Sequence, residues 1–381
     1  MKSNPNQPCV AIIAGEASGD QHGAKLVRAM QKMRPELSFC GIGGPELRQA
    51  GVRIVVDAAE LTVVGITEVF SKIPAILKGM GIIKRLLKSL KPDLLILIDF
   101  PDFNLHIAAR ARKLGIPVLY YISPQIWAWR RGRGKRIAKL VDHMAVILPF
   151  EAQFYQEFKV PVTFVGHPLL DDSLPTAGQA LKVGVQNPPV IGLLPGSRES
   201  EIVRLLPIML DAGDILKQSL KHVTFAISRA ASVQRALIEE IVGRHPGWDD
   251  VDVVSTGVER VLERCDAVIA ASGTVTLQAA IHGTPMVIIY KVSPVSAWLG
   301  KLLVRVPHVG LVNLVAGQRL VPELLQDDAT GDKIARTIHT MIADGDQLNH
   351  LRCRLIALRD ELGGTGASER VADLALGMIG I

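Results

Sequence analysis

Aromatic residues make up only 4% of this chain, and its four cysteines (Cys9, Cys40, Cys265, Cys353) lie far apart. That spacing leaves no disulfide framework and no thiolate metal site, and it suits a reducing cytoplasm. No apolar run approaches the roughly 20 residues that a membrane-spanning helix needs. The opening MKSNPNQP lacks the apolar core and cleavage site of a signal peptide, so a cytoplasmic location is expected. No G-x-G-x-x-G follows any candidate strand, which disfavours a dinucleotide fingerprint. Neither sign of charge dominates: 43 Lys and Arg against 37 Asp and Glu give a formal net charge of +6. A balance that small names no partner by itself.

What is present is a folded globular composition, 48% apolar and 21% charged, with a mean hydropathy of +0.27. That hydropathy is high for a soluble protein. At 381 residues the chain is too long for one ordinary core, so two domains are expected.

The stretch 266–289, DAVIAASGTVTLQAAIHGTPMVII, reads as strand, turn, helix and strand. Its β-branched run at 267–271 suits a buried parallel strand. Ser272, Gly273 and Thr274 then open a helix that Gly283 and Pro285 close. Free N–H groups at such a turn suit a phosphate, although an ordinary βαβ unit with a hydroxyl cap accounts for this stretch equally well. The pattern also occurs at 190–202, where a strand ends in Pro195, Gly196, Ser197 and Arg198. There the arginine adds a bidentate fork for phosphate.

The first half differs. A strand at 10–14 leads into GEASGDQHG, whose Glu16 and Asp20 a pyrophosphate would oppose. A tight turn lining a cleft fits better, with Gly15, Glu16, Ser18 and Asp20 near the ligand and Glu16 and Ser18 able to bond sugar hydroxyls. A second buried strand at 93–98 delivers Asp99 just past its carboxyl end, where open α/β sheets bind ligands. Asp102 suits the role of turn former or helix cap.

Three further stretches allow rival readings. Apolar residues recur at helical spacing across 61–90, including Ile66, Val69, Phe70 and Ile73, among several lysines. Such a helix either faces the core or dips into an anionic membrane. The segment 123–139 mixes two tryptophans with a dense basic run, but no nucleic-acid fold signature accompanies it, and no nucleic-acid partner is expected. Asp250 and Asp252 form a D-x-D pair that reads as surface, so no metal is expected. The segment 174–189, with Pro, Gly, Gln and Asn, is the candidate linker.

Taken in order, GEASGD, GIGGP, LTVVGITEV, DFPDFN, SPQIWAWR, LPFE, FVGHP, LPGSR, ASGT, VNLVAG and VPELLQ run through most of the chain. In this set the chain resembles the lipid-A-disaccharide synthase family of GT-B glycosyltransferases. The resemblance implies an α/β fold of two Rossmann-like domains facing across a cleft. It places an acceptor and membrane-facing domain at 1–185, a UDP-sugar domain at 186–355, and a C-terminal helix at 356–381 that packs back on the first domain. It implies transfer from UDP-2,3-diacylglucosamine to 2,3-diacylglucosamine 1-phosphate, with inversion, giving a β-1,6 disaccharide and UDP. Neither metal nor cofactor is implied, and the enzyme would sit on the cytoplasmic face of the inner membrane. A homodimer is left open.

Asp99 matches the family's essential aspartate, Arg198 the essential arginine, and Asn313 the asparagine of its P-N-x-x-A-G motif. The implied donor set is Gly196, Ser197, Arg198, Ser272, Gly273, Thr274, Gln278 and Asn313. Gln278 departs from the family's glutamate, and Val312 from its usual proline. The rivals are another UDP-amino-sugar GT-B enzyme, such as the muropeptide N-acetylglucosaminyltransferase or a UDP-sugar 2-epimerase, and a binding protein without catalysis. Retention of both Asp99 and Arg198 argues against the last.

Overall fold

The computed structural model describes residues 8–61, 69–172, 182–255, 257–293 and 306–381. They form two compact units: residues 1–171 with 362–381, and residues 172–361.

In the first unit the strands are β1 (Cys9–Ala14), β2 (Ser38–Gly43), β3 (Arg53–Asp57), β4 (Leu94–Ile98), β5 (Val118–Tyr121), β6 (His143–Val146) and β7 (Val162–Phe164). They pair in parallel in the order β3-β2-β1-β4-β5-β6-β7. A parallel sheet covered by helices on both faces has no polar side, which is why β4 reads LLILI and is buried throughout. Strand order reverses between β1 and β4, which pair from Val10 opposite Leu94 to Ala14 opposite Ile98. The turns after those two strands, at Gly15 and Asp99, are therefore neighbours at the switch point where such sheets bind ligands. One core packs the Ala17–Met33 helix against the sheet through Leu26, Val27 and Met30, joined by Val371, Ala372 and Leu376 of the Ala367–Met378 helix. The C-terminal helix thus packs back on the first unit.

The second unit follows the same plan. Its strands are β8 (Val190–Leu194), β9 (Thr224–Ser228), β10 (Asp252–Val254), β11 (Ala267–Ala271), β12 (Met286–Tyr290) and β13 (Glu323–Leu325). Their order is β10-β9-β8-β11-β12-β13, all parallel. The reversal falls between β8 and β11, so the Pro195–Arg198 and Ser272–Thr274 turns are again neighbours. Asp266 and Arg352 pair at 3.6 Å with side chains only 1% and 3% exposed. Asp266 accepts from Val190 N–H, and Arg352 donates to the carbonyls of Lys182 and Gly184. The pair fastens the chain entering this unit to the Gly345–Glu361 helix.

β3, β7 and β13 carry no clear strand signal in the sequence. All three are edge strands of three to five residues, paired on one side and too short for a clear period. Helix 61–90 appears as Val69–Leu90. Ile66 lies outside the described residues, as do the side chains of Val69 and Phe70. Ile73 and Leu77 are exposed, while Ile83 and Leu87 are buried, so one helix serves both surface and core.

Candidate active site

In the first unit, Asp99 and Phe100 both adopt left-handed backbone, with φ of 44° and 46°. Two consecutive non-glycine residues there cost energy, so the surroundings must hold them. Asn104 and Tyr120 do so. Asn104 Nδ2 donates to the carbonyls of Ile98 and Asp99 (3.2 and 2.6 Å), and the Tyr120 hydroxyl donates to Asp99 O (2.6 Å). The strained turn swings the Phe100 ring over Gly15, where a Cβ would lie 2.4 Å from it. This close approach explains why Gly15 is needed.

Burial is the main cause that raises the Asp99 carboxyl to about 6, and the neighbouring Glu16 carboxylate adds to it. A carboxylate of that basicity is still ionised at neutral pH and holds a proton more firmly than an ordinary aspartate. Glu16 and Ser18 are exposed at the start of the Ala17–Met33 helix. Asp20 is not available to a ligand in the same way. Its buried carboxylate accepts from the N–H groups of Gly44, Glu46 and Leu47 at 2.6, 2.9 and 3.2 Å. It caps the neighbouring Pro45–Gln49 helix, so its role is structural. Asp102 caps nothing; its exposed carboxylate pairs with Arg130 and Arg133.

The turns that the family resemblance assigns to the donor are surface features of the second unit. Gly196 has a φ of 117°, and a Cβ there would meet Glu201 Oε2 at 2.4 Å. Glu201 reaches back from the first turn of the Glu199–Ser219 helix. Its carboxylate accepts from Ser197 N–H (3.1 Å), Arg198 N–H (3.3 Å) and the Arg198 guanidinium (3.2 Å). The Arg198 side chain is 77% exposed. A carboxylate already seated among these donors marks the turn as an anion site. In the adjacent turn, the Gly273 and Thr274 N–H groups donate to no described residue. Ser272 Oγ instead donates to Val309 O (3.0 Å).

Asn313 corrects the expectation. It is fully buried in a short helix, and its amide is spent on its own segment. Nδ2 donates to Val321 O and Glu323 Oε1 (2.9 and 2.8 Å), and Oδ1 accepts from Leu320 and Val321 N–H (2.8 and 3.0 Å). With two donors and two acceptors used, it has nothing left for a ligand. It locks the segment that also bonds Ser272, so it acts on the turn through the backbone. Gln278 is half-buried and donates to Glu259 Oε1 at 3.2 Å, leaving its carbonyl oxygen for another partner. Asn104, Glu201 and Glu323 leave only a weak mark in the sequence, an amide or carboxylate one to five residues past a proline or glycine. No cluster of metal-ligating side chains occurs among the described residues.

A model of the lipid-A-disaccharide synthetase family matches residues 10–374. The chain belongs to that family. It is 48% identical to the lipid-A-disaccharide synthase of Geobacter sulfurreducens, over 97% of each chain. It is 41% identical to that of Coxiella burnetii, over 97% of this chain and 98% of the relative. In structure it is similar to a UDP-GlcNAc 2-epimerase from Neisseria meningitidis bound to UDP-GlcNAc, with a TM-score of 0.65 at 11% identity. That match covers 97% of this chain and 100% of the other. It is also similar to the glycotransferase of kitacinnamycin, with a TM-score of 0.62 at 16% identity and coverage of 98% and 100%. At those identities the likeness shows the GT-B fold alone. The family assignment comes from sequence and separates this chain from the 2-epimerase rival. The family is one of glycosyltransferases in lipid A biosynthesis.

Proposed function

We propose that the chain joins UDP-2,3-diacylglucosamine to 2,3-diacylglucosamine 1-phosphate, releasing UDP and forming the β-1,6 disaccharide with inversion. The observation that carries the chemical step is Asp99, held in a strained turn at the β1/β4 switch with its carboxyl raised to about 6. Asp99 takes the proton of the acceptor's 6-hydroxyl as that oxygen attacks the anomeric carbon. The bond from that carbon to the diphosphate breaks, and UDP leaves with the electron pair. The Arg198 fork and the Gly273 and Thr274 N–H groups meet the charge that develops on the diphosphate. Glu16 keeps Asp99 basic and offers an acceptor for sugar hydroxyls.

Both substrates carry acyl chains, so the enzyme works at a membrane surface. Ile73 and Leu77, exposed on a lysine-bearing helix, suit insertion into the headgroup layer. No helix among the described residues is long and apolar enough to cross a membrane. The test is incubation with the two acylated glucosamines and mass spectrometry for the disaccharide phosphate. UDP release without that product would discard the acceptor assignment.

A further inference from the structure

The segment after β5 carries more positive charge than the assignments above use. Arg130, Arg131 and Arg133 follow Trp129 within one turn. The backbone that presents them is anchored from below. Ser123 Oγ and Trp127 Nε1 both donate to Oε1 of buried Glu151, at 2.5 and 3.0 Å, and Leu148 N–H donates to its Oε2. The Trp127 ring also meets Phe150 edge-on at 4.9 Å. A buried carboxylate with three donors holds such a loop firmly, because any shift would orphan it.

Above this base, the Arg130 guanidinium stacks on half-exposed Trp129, 4.0 Å from the ring centroid. Arg130 and Arg133 then converge on one carboxylate, Asp102, at 3.8 and 2.5 Å. Two guanidinium groups on one carboxylate leave a positive charge unmet. Arg131 is spent on Glu157 at 2.6 Å. Lys135 and Arg136 follow and form no ion pair with any described residue, so the field there is positive. Asp102 lies three residues past Asp99, in the first turn of the Pro101–Lys113 helix. The carboxylate that gathers this unmet charge is therefore three residues along the chain from the proposed base.

We propose that Arg130 and Arg133 form the site for the phosphomonoester of the acceptor sugar. The assignment rests on the reaction proposed above, with Asp99 as its base. In an acceptor glucosamine 1-phosphate, C1, which bears the phosphate, and C5, which bears the 6-hydroxymethyl group, flank the ring oxygen of one sugar. A hydroxyl seated at Asp99 therefore carries its phosphate within one sugar's width. Two guanidinium forks match a phosphate dianion, which displaces the single carboxylate of Asp102 by its greater charge. The site would bind the acceptor and tell it from its unphosphorylated form.

The test compares kcat/KM for 2,3-diacylglucosamine with and without its 1-phosphate, in neutral detergent, for the full chain and for Arg130→Gln/Arg133→Gln. The wild type should prefer the phosphorylated acceptor by about 10-fold or more, as expected for losing a charge-assisted contact. The double variant should keep less than about a third of that preference while its donor KM and its rate on the unphosphorylated acceptor stay unchanged. Arg130→Lys/Arg133→Lys, which keeps the charge and loses the forks, should fall between them and guards against misfolding. A double variant with the full preference would overturn the assignment, and so would an equal loss on both acceptors. A loss seen only on phosphatidylglycerol vesicles, and not in neutral detergent, would move the arginines to lipid headgroups and overturn it as well. Failure of the wild type on either acceptor, with UDP still bound, would instead sink the reaction itself.

Discussion

The two units repeat one topology and place a pair of turns at the same switch point, yet they treat charge in opposite ways. The first unit buries several of its ionisable groups and alters them. Asp99 is raised to about 6, Glu151 to about 7, and His22 is lowered to about 4, in each case chiefly by burial. The second unit leaves Arg198 in solvent and uses backbone N–H groups at its turns. Its one deeply buried ion pair, among the described residues, ties chain segments together far from those turns. A proton transfer needs a carboxylate of unusual basicity, whereas a diphosphate needs only fixed donors and a full charge. In the reaction proposed above, the same fold supplies both by changing what is buried after the strand ends.

The sharpest break in this comparison is Asp99→Asn. The change is nearly isosteric, and the backbone contacts of Asn104 and Tyr120 to residue 99 do not involve its side chain. Turnover should drop by roughly 10²–10⁴-fold, the range for losing a general base. UDP affinity, which the proposal assigns to the second unit, should hold. In the wild type kcat/KM should fall as the pH drops below about 6, as Asp99 takes up its proton. Normal turnover in the variant would transfer the base role to Glu16.

Next is Arg352→Ala. Removing the guanidinium leaves Asp266 buried without its cation and strips the carbonyls of Lys182 and Gly184 of their donor. Breaking such a pair from one side costs about 3–5 kcal/mol. Urea unfolding should show that loss in the second unit, with any residual activity at low temperature keeping the wild-type acceptor KM. A cost under about 1 kcal/mol would mean that the pair is not holding the entry strand.

Arg198→Ala tests the other side of the contrast. The side chain is exposed, so stability should be unchanged, while donor use should lose about 2–4 kcal/mol of transition-state stabilisation. Arg198→Lys should recover little, since a point charge lacks the fork. Steady-state kinetics with varied donor decides it, and retained activity in Arg198→Ala would remove the arginine from the site.

The same contrast explains what the sequence alone makes legible. The strand-to-turn-to-helix units at 190–202 and 266–289 were legible because continuous apolar strands and glycine turns leave local marks. Asp99 was legible because β4 is an unbroken apolar run and the aspartate directly follows it. The functions of Asp20 and Asn313 were not. Asp20 follows a glycine and Asn313 lies three residues past one, as a ligand-binding residue would, and only the partners show that their hydrogen bonds are spent within the protein. Strands β3, β7 and β13 were lost for a related reason. Their stability comes from a single partner strand distant in sequence, which leaves no periodic pattern of its own.

The smallest expected effect is a change in stability with pH, and it isolates the strain stored at Asp99. A carboxyl whose folded pKa is raised, from 3.8 to about 6, binds its proton more tightly in the folded state. Its stabilising contribution is therefore complete below about pH 4 and is lost as the pH rises through about 6. At pH 7–8 the folded wild type keeps a half-buried charge beside Glu16, and Asp99→Asn removes it. A shift of this size corresponds to on the order of 1–3 kcal/mol, the lower part being expected because the group is not fully buried. Asp99→Asn should thus melt a few degrees higher than the wild type at pH 7.5, and the advantage should shrink to nothing by about pH 4. His22, lowered to about 4, and Glu151, raised to about 7, titrate over overlapping ranges. Both are present in each protein, so they cancel in the difference between the two melting curves. A pH-independent difference would show that Asp99 is held by hydrogen bonds that the amide reproduces. A lower melting temperature at neutral pH would show that its charge is stabilising, and the raised basicity on which the proposed base depends would fall with it.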